Sequence, residues 1–200
     1  LFRQKYPEVS VQLQIHSTRR TGWSVANGQI DIAIIGGQLP LELNESLQVI
    51  PFATDELALV LPPNHQLTKS KELTKEDLYS LGFITLDTQS TTRKVVDQLL
   101  TSSGLDVQRL NIEMELNSLE AIKNAVQAGL GAAFLPVVSI ERELLGGSIH
   151  RPIIADLEVK RELKVITNPG RYSSRAAEAF TKDILPLFAS SVSPLFVGKD

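Results

Sequence analysis

The stretch ITLDTQSTTRKVV, Ile84–Val96, decides how the chain is read. Phe83, Ile84, Thr85 and Leu86 form an apolar run with the length of a buried strand. Val95, Val96, Leu99 and Leu100 then recur with helical spacing. Between them lie Thr88, Gln89, Ser90, Thr91, Thr92 and Arg93. One hydroxyl is enough to cap a helix, because a side-chain oxygen accepts one of the orphan N–H groups of the first turn. A turn with this many hydroxyls, an amide and a guanidinium also suits an oxygen-rich anion, which the helix dipole and the free N–H groups favour.

Moving outward, strand and helix patterns alternate on both sides of this turn. On the upstream side, LFRQKYPEV reads as the end of a helix stopped by Pro7, as in a fragment with an upstream part. Val9, Val11, Leu13 and Ile15 alternate with polar residues and predict a strand with one buried face. A short helix follows to Asn27-Gly28. Ile30–Gly37 is a continuous apolar run and predicts a central strand buried on both faces. LQVIPFA and Asp55–Pro63 predict two further strands, and Thr74–Leu81 a short helix capped by Thr74.

Downstream, a helix runs to Ser103-Gly104, and Asn111–Leu116 alternates as a strand. Asn117 and Glu120 have capping-box spacing ahead of a helix with Leu119, Ile122 and Val126 on its apolar face, ended by Gly129 or Gly131. AAFLP is a strand, Val138–Leu145 a helix ended by Gly146-Gly147, and IHRPII and LKVITN are strands. Ser173 or Ser174 caps a last helix, with Ala177, Phe180 and Ile184 inward and Pro186 at its end. The alternation predicts parallel sheets covered by helices, in two α/β subdomains separated near residues 79–83.

Composition narrows the chemistry. The 42% hydrophobic and 22% charged fractions are those of an ordinary globular chain. A net charge of −3 argues against a nucleic-acid-binding surface. The absence of cysteine removes disulfides, thiolate nucleophiles and cysteine zinc sites. No apolar run reaches the roughly 18 residues of a membrane span, and no signal peptide is visible. His16, His65 and His150 are scattered, so no metal site is expected. Gly129-Leu130-Gly131 lacks the pattern of a dinucleotide loop, and Gly146-Gly147-Ser148 that of a nucleophile elbow. No acid/base pair stands out, so a binding module is favoured over an enzyme.

In open α/β sheets ligands lie beyond the carboxyl ends of strands. His16-Ser17-Thr18-Arg19, Thr88–Arg93 and Asn117-Ser118 occupy such ends, with Gly36-Gly37 as a fourth. Each of the three polar turns also has a plain capping role. Asp87 opposes an anion in the middle turn unless it pairs with Arg93 or points away.

Five stretches carry a family resemblance: FRQKYPEVSVQLQ, NGQIDIAIIGG, DELALVLPPNHQL, STTR and NSLEAIKNAVQAGLGAAFLP. Together they resemble the effector-binding domain of LysR-type transcriptional regulators over essentially the whole chain. EAIKNAVQAGLGAAFLP is similar to the family's E-x-[IV]-x-x-x-V-x-x-G-x-G-[IA]-x-[FLV]-[LV]-P signature. IHSTRRTGWSVANGQIDIAIIGG and TLDTQSTTRKVV further resemble a cyanobacterial and plastid branch that controls carbon fixation, inorganic-carbon uptake and an associated dehydrogenase complex.

The resemblance implies two Rossmann-like subdomains with a ligand cleft between them, like a periplasmic binding protein. Residues 1–81 plus 169–200 would form the first and 82–168 the second. It implies a small anionic effector in that cleft, of the 2-phosphoglycolate, ribulose bisphosphate or 2-oxoglutarate class, and no cofactor. Effector-binding positions would be Ser17 and Thr18 on one side and Gln89, Ser90, Thr91 and Thr92 on the other. Arg93, Asn117 and Phe134 are further candidates. The family's partners are a second copy or more (homodimer or homotetramer, antiparallel, through the helices after Thr18 and Ser118). DNA would be bound through a separate N-terminal domain not in this chain, and no membrane is involved. Two family features do not appear in this sequence: the winged helix-turn-helix with its linker helix, and a first strand with a Ser/Thr-rich turn. The implied compartment is the cytoplasm or the plastid stroma. A substrate-binding component of a transport system shares the fold and stands as the alternative.

Overall fold

The computed structural model describes residues 1–88 and 90–189, and the chain forms two compact units, residues 1–54 with 162–200 and residues 55–161. The two passes between units fall at 54/55 and 161/162. The sequence reading set them later, at 81/82 and 168/169. The difference has a packing cause: Leu57, Leu59, Leu61, Leu78 and Leu81 share one core with Phe83, Val96 and Leu100. The segment before residue 82 is therefore held by the second unit's interior.

In the first unit, helix α1 (Phe2–Lys5) ends before Pro7. Phe2 is buried and meets Phe180 edge-on, with ring centroids 5.2 Å apart. Helix α2 (Thr18–Ala26) and strand β1 (Ala33–Ile35) follow, and Val25, Ile35, Leu43, Leu47 and Ile166 form a shared core. Residues 9–15 are not a strand. Val11, Leu13 and Ile15 are exposed, and no ladder partner lies alongside them among the described residues. Alternation states which face a strand would bury, but a strand also requires a neighbour to take its backbone groups. The expected central strand over Ile30–Gly37 is likewise reduced to three residues. Ile34 is 48% exposed, because β1 pairs only with the strand over Lys160–Thr167 among the described residues.

Strand β2 (Gln48–Val60) is one thirteen-residue element where two strands were expected. It carries the chain from the first unit into the second. In the second unit the elements are β3 (Gly82–Leu86), α3 (Thr91–Ser102), β4 (Asn111–Leu116), α4 (Leu119–Gln127), β5 (Ala133–Pro136) and α5 (Glu141–Leu145). β3 and β4 are parallel, with a register shift between Phe83 and Ile84. Phe83 also bridges Ala132 in parallel, beside β5, while β5 and β2 are antiparallel. Neighbouring residues alternate between two cores. Leu57, Leu59 and Phe83 pack with Val96 and Leu100 of α3, whereas Val60, Ile84 and Leu135 pack with Ile122 and Val126 of α4. Each such side chain contributes roughly 2 kcal/mol when fully buried.

β6 (Lys160–Thr167) returns the chain to the first unit, where it pairs antiparallel with β1. The all-parallel expectation thus holds only for the β3 neighbourhood. Residues 149–154 form isolated bridges, Leu61 to His150 and Leu73 to Ile154, in place of a strand. The helix expected over Val138–Leu145 is a 3-10 turn over Val137–Ser139 followed by α5. α6 (Arg175–Asp183) is capped by Ser174, and α7 (Leu185–Ala189) begins ahead of Pro186, which therefore does not end the preceding helix. Thr74 and Asp77 exchange hydrogen bonds at the start of a 3-10 turn over Glu76–Ser80. Among the described residues no helix is long and apolar enough to cross a membrane.

Candidate functional site

The polar turn after β3 is fixed at both ends. Asp87 N–H donates to Leu116 O on β4 at 3.1 Å, and Ser90 N–H donates to Asp87 O at 3.0 Å. Ser90 is the N-cap of α3, its hydroxyl accepting from Arg93 N–H at 3.4 Å. Thr91 and Thr92 open the first turn of α3. Gln89 lies outside the described residues.

Arg93 ties α3 to the strands beside it. Its guanidinium donates to both oxygens of Asp97, to Thr85 Oγ1 at 3.1 Å and to Leu86 O at 3.3 Å, and lies 3.6 Å from a Glu115 oxygen. These partners sit on β3, β4 and α3. Most of its donors are therefore spent inside the unit, and its side chain is 14% exposed. Asp97, one turn along the same helix, is the partner the sequence reading did not weigh.

Thr92 has a second charged neighbour. Arg161, at the end of the second unit, donates from Nη1 to Thr92 Oγ1 at 3.2 Å. Its Nε and Nη2 both lie on one oxygen of Asp55, at 2.8 and 2.7 Å. Asp55 is buried, and its other oxygen has no hydrogen-bond partner. Neither residue was singled out from sequence. Asp55 left one signal, an acidic pair with Glu56 at the head of the apolar run LALVLPP.

Thr92, Arg93 and Phe134 line one small cavity of about 30 Å³, together with Phe83, Val96 and Leu110. That is room for about one water molecule. Phe134 stacks on Phe83 with centroids 6.0 Å apart and planes 4° from parallel, so its ring belongs to the packing below the turn. Asn117 is exposed at the end of β4. The cap of α4 is Ser118, accepting from Ala121 N–H at 3.4 Å, one residue later than the capping box predicted. In the first unit, Ser17 caps α2 and accepts from Arg20 N–H at 3.5 Å, while Thr18 is buried in the first turn. A larger hollow of about 680 Å³ in that unit is lined by Gly28, Asp31, Gln48, Asn168, Arg171 and Lys182 among others, and contains none of the expected site residues.

Residues 1–187 match the family described as the LysR substrate binding domain. A probable RuBisCO transcriptional regulator of Trichormus variabilis is 62% identical over 190 residues, covering 95% of this chain and 56% of the relative. The protein of the same description from Porphyra purpurea is 58% identical, covering 95% and 60%. The chain thus spans somewhat over half the length of these curated relatives. Among solved structures, the regulatory domain of CcmR from Synechocystis PCC6803, in complex with 2-PG, superposes with a TM-score of 0.80 at 24% identity, covering 93% of this chain and 86% of that one. The effector-binding domain of QuiR in complex with shikimate gives 0.72 at 19% identity, covering 90% and 85%. These relatives are regulators and not enzymes. The chain belongs to the LysR family, as its substrate-binding domain.

Proposed function

We propose that this chain senses a small anionic metabolite and reports it to a transcription machinery that controls carbon-metabolism genes. The metabolite is of the 2-phosphoglycolate, ribulose bisphosphate or 2-oxoglutarate class. It engages the Ser90–Thr92 turn, with Gln89 and Asn117 as further contacts and Arg93 and Phe134 as supports. The observation that carries the reading is the first turn of α3. There two threonines and a serine cap stand together at the positive end of a helix, with Arg161 donating to the Thr92 hydroxyl. The names of the curated relatives supply the carbon-fixation context, and the 2-PG complex of a fold neighbour supplies a ligand of the right charge.

The metabolite works by shifting a population. It favours whichever arrangement of the domain binds it more tightly, and only by the difference in its affinities. A tenfold difference is about 1.4 kcal/mol. In the whole protein this bias acts on DNA-binding domains through a homodimer or homotetramer built on α2 and α4, where Trp23 stands 41% exposed. Such a protein works where its DNA is, in a cyanobacterial cytoplasm or a plastid stroma. Membership of a regulator family sets aside the transport-component reading.

Calorimetry with a panel of carbon metabolites tests this. One phosphorylated or dicarboxylic member binds at one site per chain, and neutral analogues do not. Binding of an amino acid or aromatic acid with no response to any panel member would defeat the proposal.

A further inference from the structure

Thr92 accepts a hydrogen bond from a guanidinium, and a guanidinium has donors only. The direction of that bond is therefore set by chemistry. With one lone pair taken by Arg161 Nη1, the hydroxyl of Thr92 turns its own hydrogen away from Arg161. The positive charge behind the oxygen also strengthens it as a donor, because linked hydrogen bonds polarise one another.

Arg161 cannot readily release Thr92. Asp55 is 3% exposed, and all compensation for its charge comes through the one oxygen that takes Nε and Nη2 of Arg161. Moving the guanidinium would leave a buried carboxylate without a partner. Asp55 opens the second unit and Arg161 closes it, so the pair also fastens together the two strands by which the chain enters and leaves that unit.

Building on the effector reading above, we infer that Arg161, anchored by Asp55, is a positioning residue that makes the Thr92 hydroxyl a fixed donor. That hydroxyl selects an acceptor-only group, an ionised carboxylate or phosphoryl oxygen. A ligand presenting an N–H there would set donor against donor and leave both unpaired, which is how a polar site rejects a near-isostere.

A double-mutant cycle read by calorimetry with 2-phosphoglycolate tests this. The variants are Arg161→Lys, Thr92→Val and both together, with thermal denaturation to confirm folding. Lysine keeps the charge beside Asp55 but loses the planar fork that reaches Thr92. Arg161→Lys is expected to weaken binding about tenfold in the parent and less than about twofold in the Thr92→Val background. Thr92→Ser, which keeps the hydroxyl, should restore the tenfold sensitivity. If Arg161→Lys does not fold, the neutral pair Asp55→Asn with Arg161→Gln replaces it, with the same expected dependence on Thr92. Equal losses in both backgrounds would overturn the inference while leaving the effector reading intact. Unchanged affinity in Thr92→Val alone, or no binding of 2-phosphoglycolate at all, would remove the reading on which the inference rests, and the inference with it.

Discussion

The guanidinium of Arg93 closes on Asp97 one turn along α3, with Nε 2.9 and 2.8 Å from the two carboxylate oxygens. A residue that looked like a receptor for a ligand anion is thereby a strut between β3, β4 and α3. Arg93→Gln should lower stability by about 1–3 kcal/mol, the usual range when a partly buried charged hydrogen-bond network loses its centre. A urea titration would show a lower midpoint with an unchanged slope. A variant as stable as the parent would mean the network contributes nothing.

Phe134 offers a sharper separation of packing from binding. Its ring stacks on Phe83 at 6.0 Å beneath the turn. Phe134→Ala should cost about 3 kcal/mol, as large-to-small core changes do. Phe134→Leu should cost under about 1.5 kcal/mol and leave effector affinity within about twofold. A tenfold loss of affinity in a well-folded Phe134→Leu variant would place the ring against the ligand instead.

The two glycines after α4 should respond differently to alanine. At Gly129 (φ +84°) a Cβ would meet open space, so only backbone strain remains, about 1 kcal/mol. At Gly131 (φ +157°) a Cβ would lie 2.7 Å from the carbonyl oxygen of Gly82, on the backbone of β3. Gly131→Ala should therefore cost at least about 2 kcal/mol more than Gly129→Ala. Thermal or urea denaturation of the two single variants decides this, and equal costs would show that β5 can shift away from β3.

Acid stability should depend in part on Lys123 and Glu143, 2.8 Å apart. The hydrogen bond that Lys123 donates to Glu143 holds the Glu143 carboxyl below its ordinary value near 4.5 and raises the Lys123 ammonium above 10.5. A depressed carboxyl contributes stability above its unfolded value and loses it as pH falls through the folded one. A raised amine contributes below its unfolded value and loses it as pH rises through the folded one. The pair is thus fully effective between about pH 4.5 and 10.5 and fades outside that window. Lys123→Met should flatten the dependence of unfolding free energy on pH below 4.5, and an unchanged slope there would remove the pair from the account.

Local chemistry was legible in the sequence where a residue and its partner lie within a few positions. Ser17, Ser90 and Ser174 cap the helices they precede, and β4 begins and ends where its alternation does. What escaped depends on partners far along the chain. Residues 9–15 alternate as a strand should, yet only a neighbouring strand could make them one. β2 runs unbroken through Thr54-Asp55 because its two ends serve different units. Arg161 meets Thr92 across 69 positions of sequence, so no spacing rule could have joined them. The hydroxyl-rich turn was visible as a candidate because all its polar groups are consecutive, whereas its buried supports were not.

Backbone amide chemical shifts read directly whether the effector sits on the first turn of α3. Titration with 2-phosphoglycolate should move the amides of Ser90, Thr91, Thr92 and Arg93 most, with saturation at one equivalent. Largest shifts at Gly28, Asn168, Arg171 and Lys182, around the hollow of the first unit, with the α3 amides unmoved, would contradict that location.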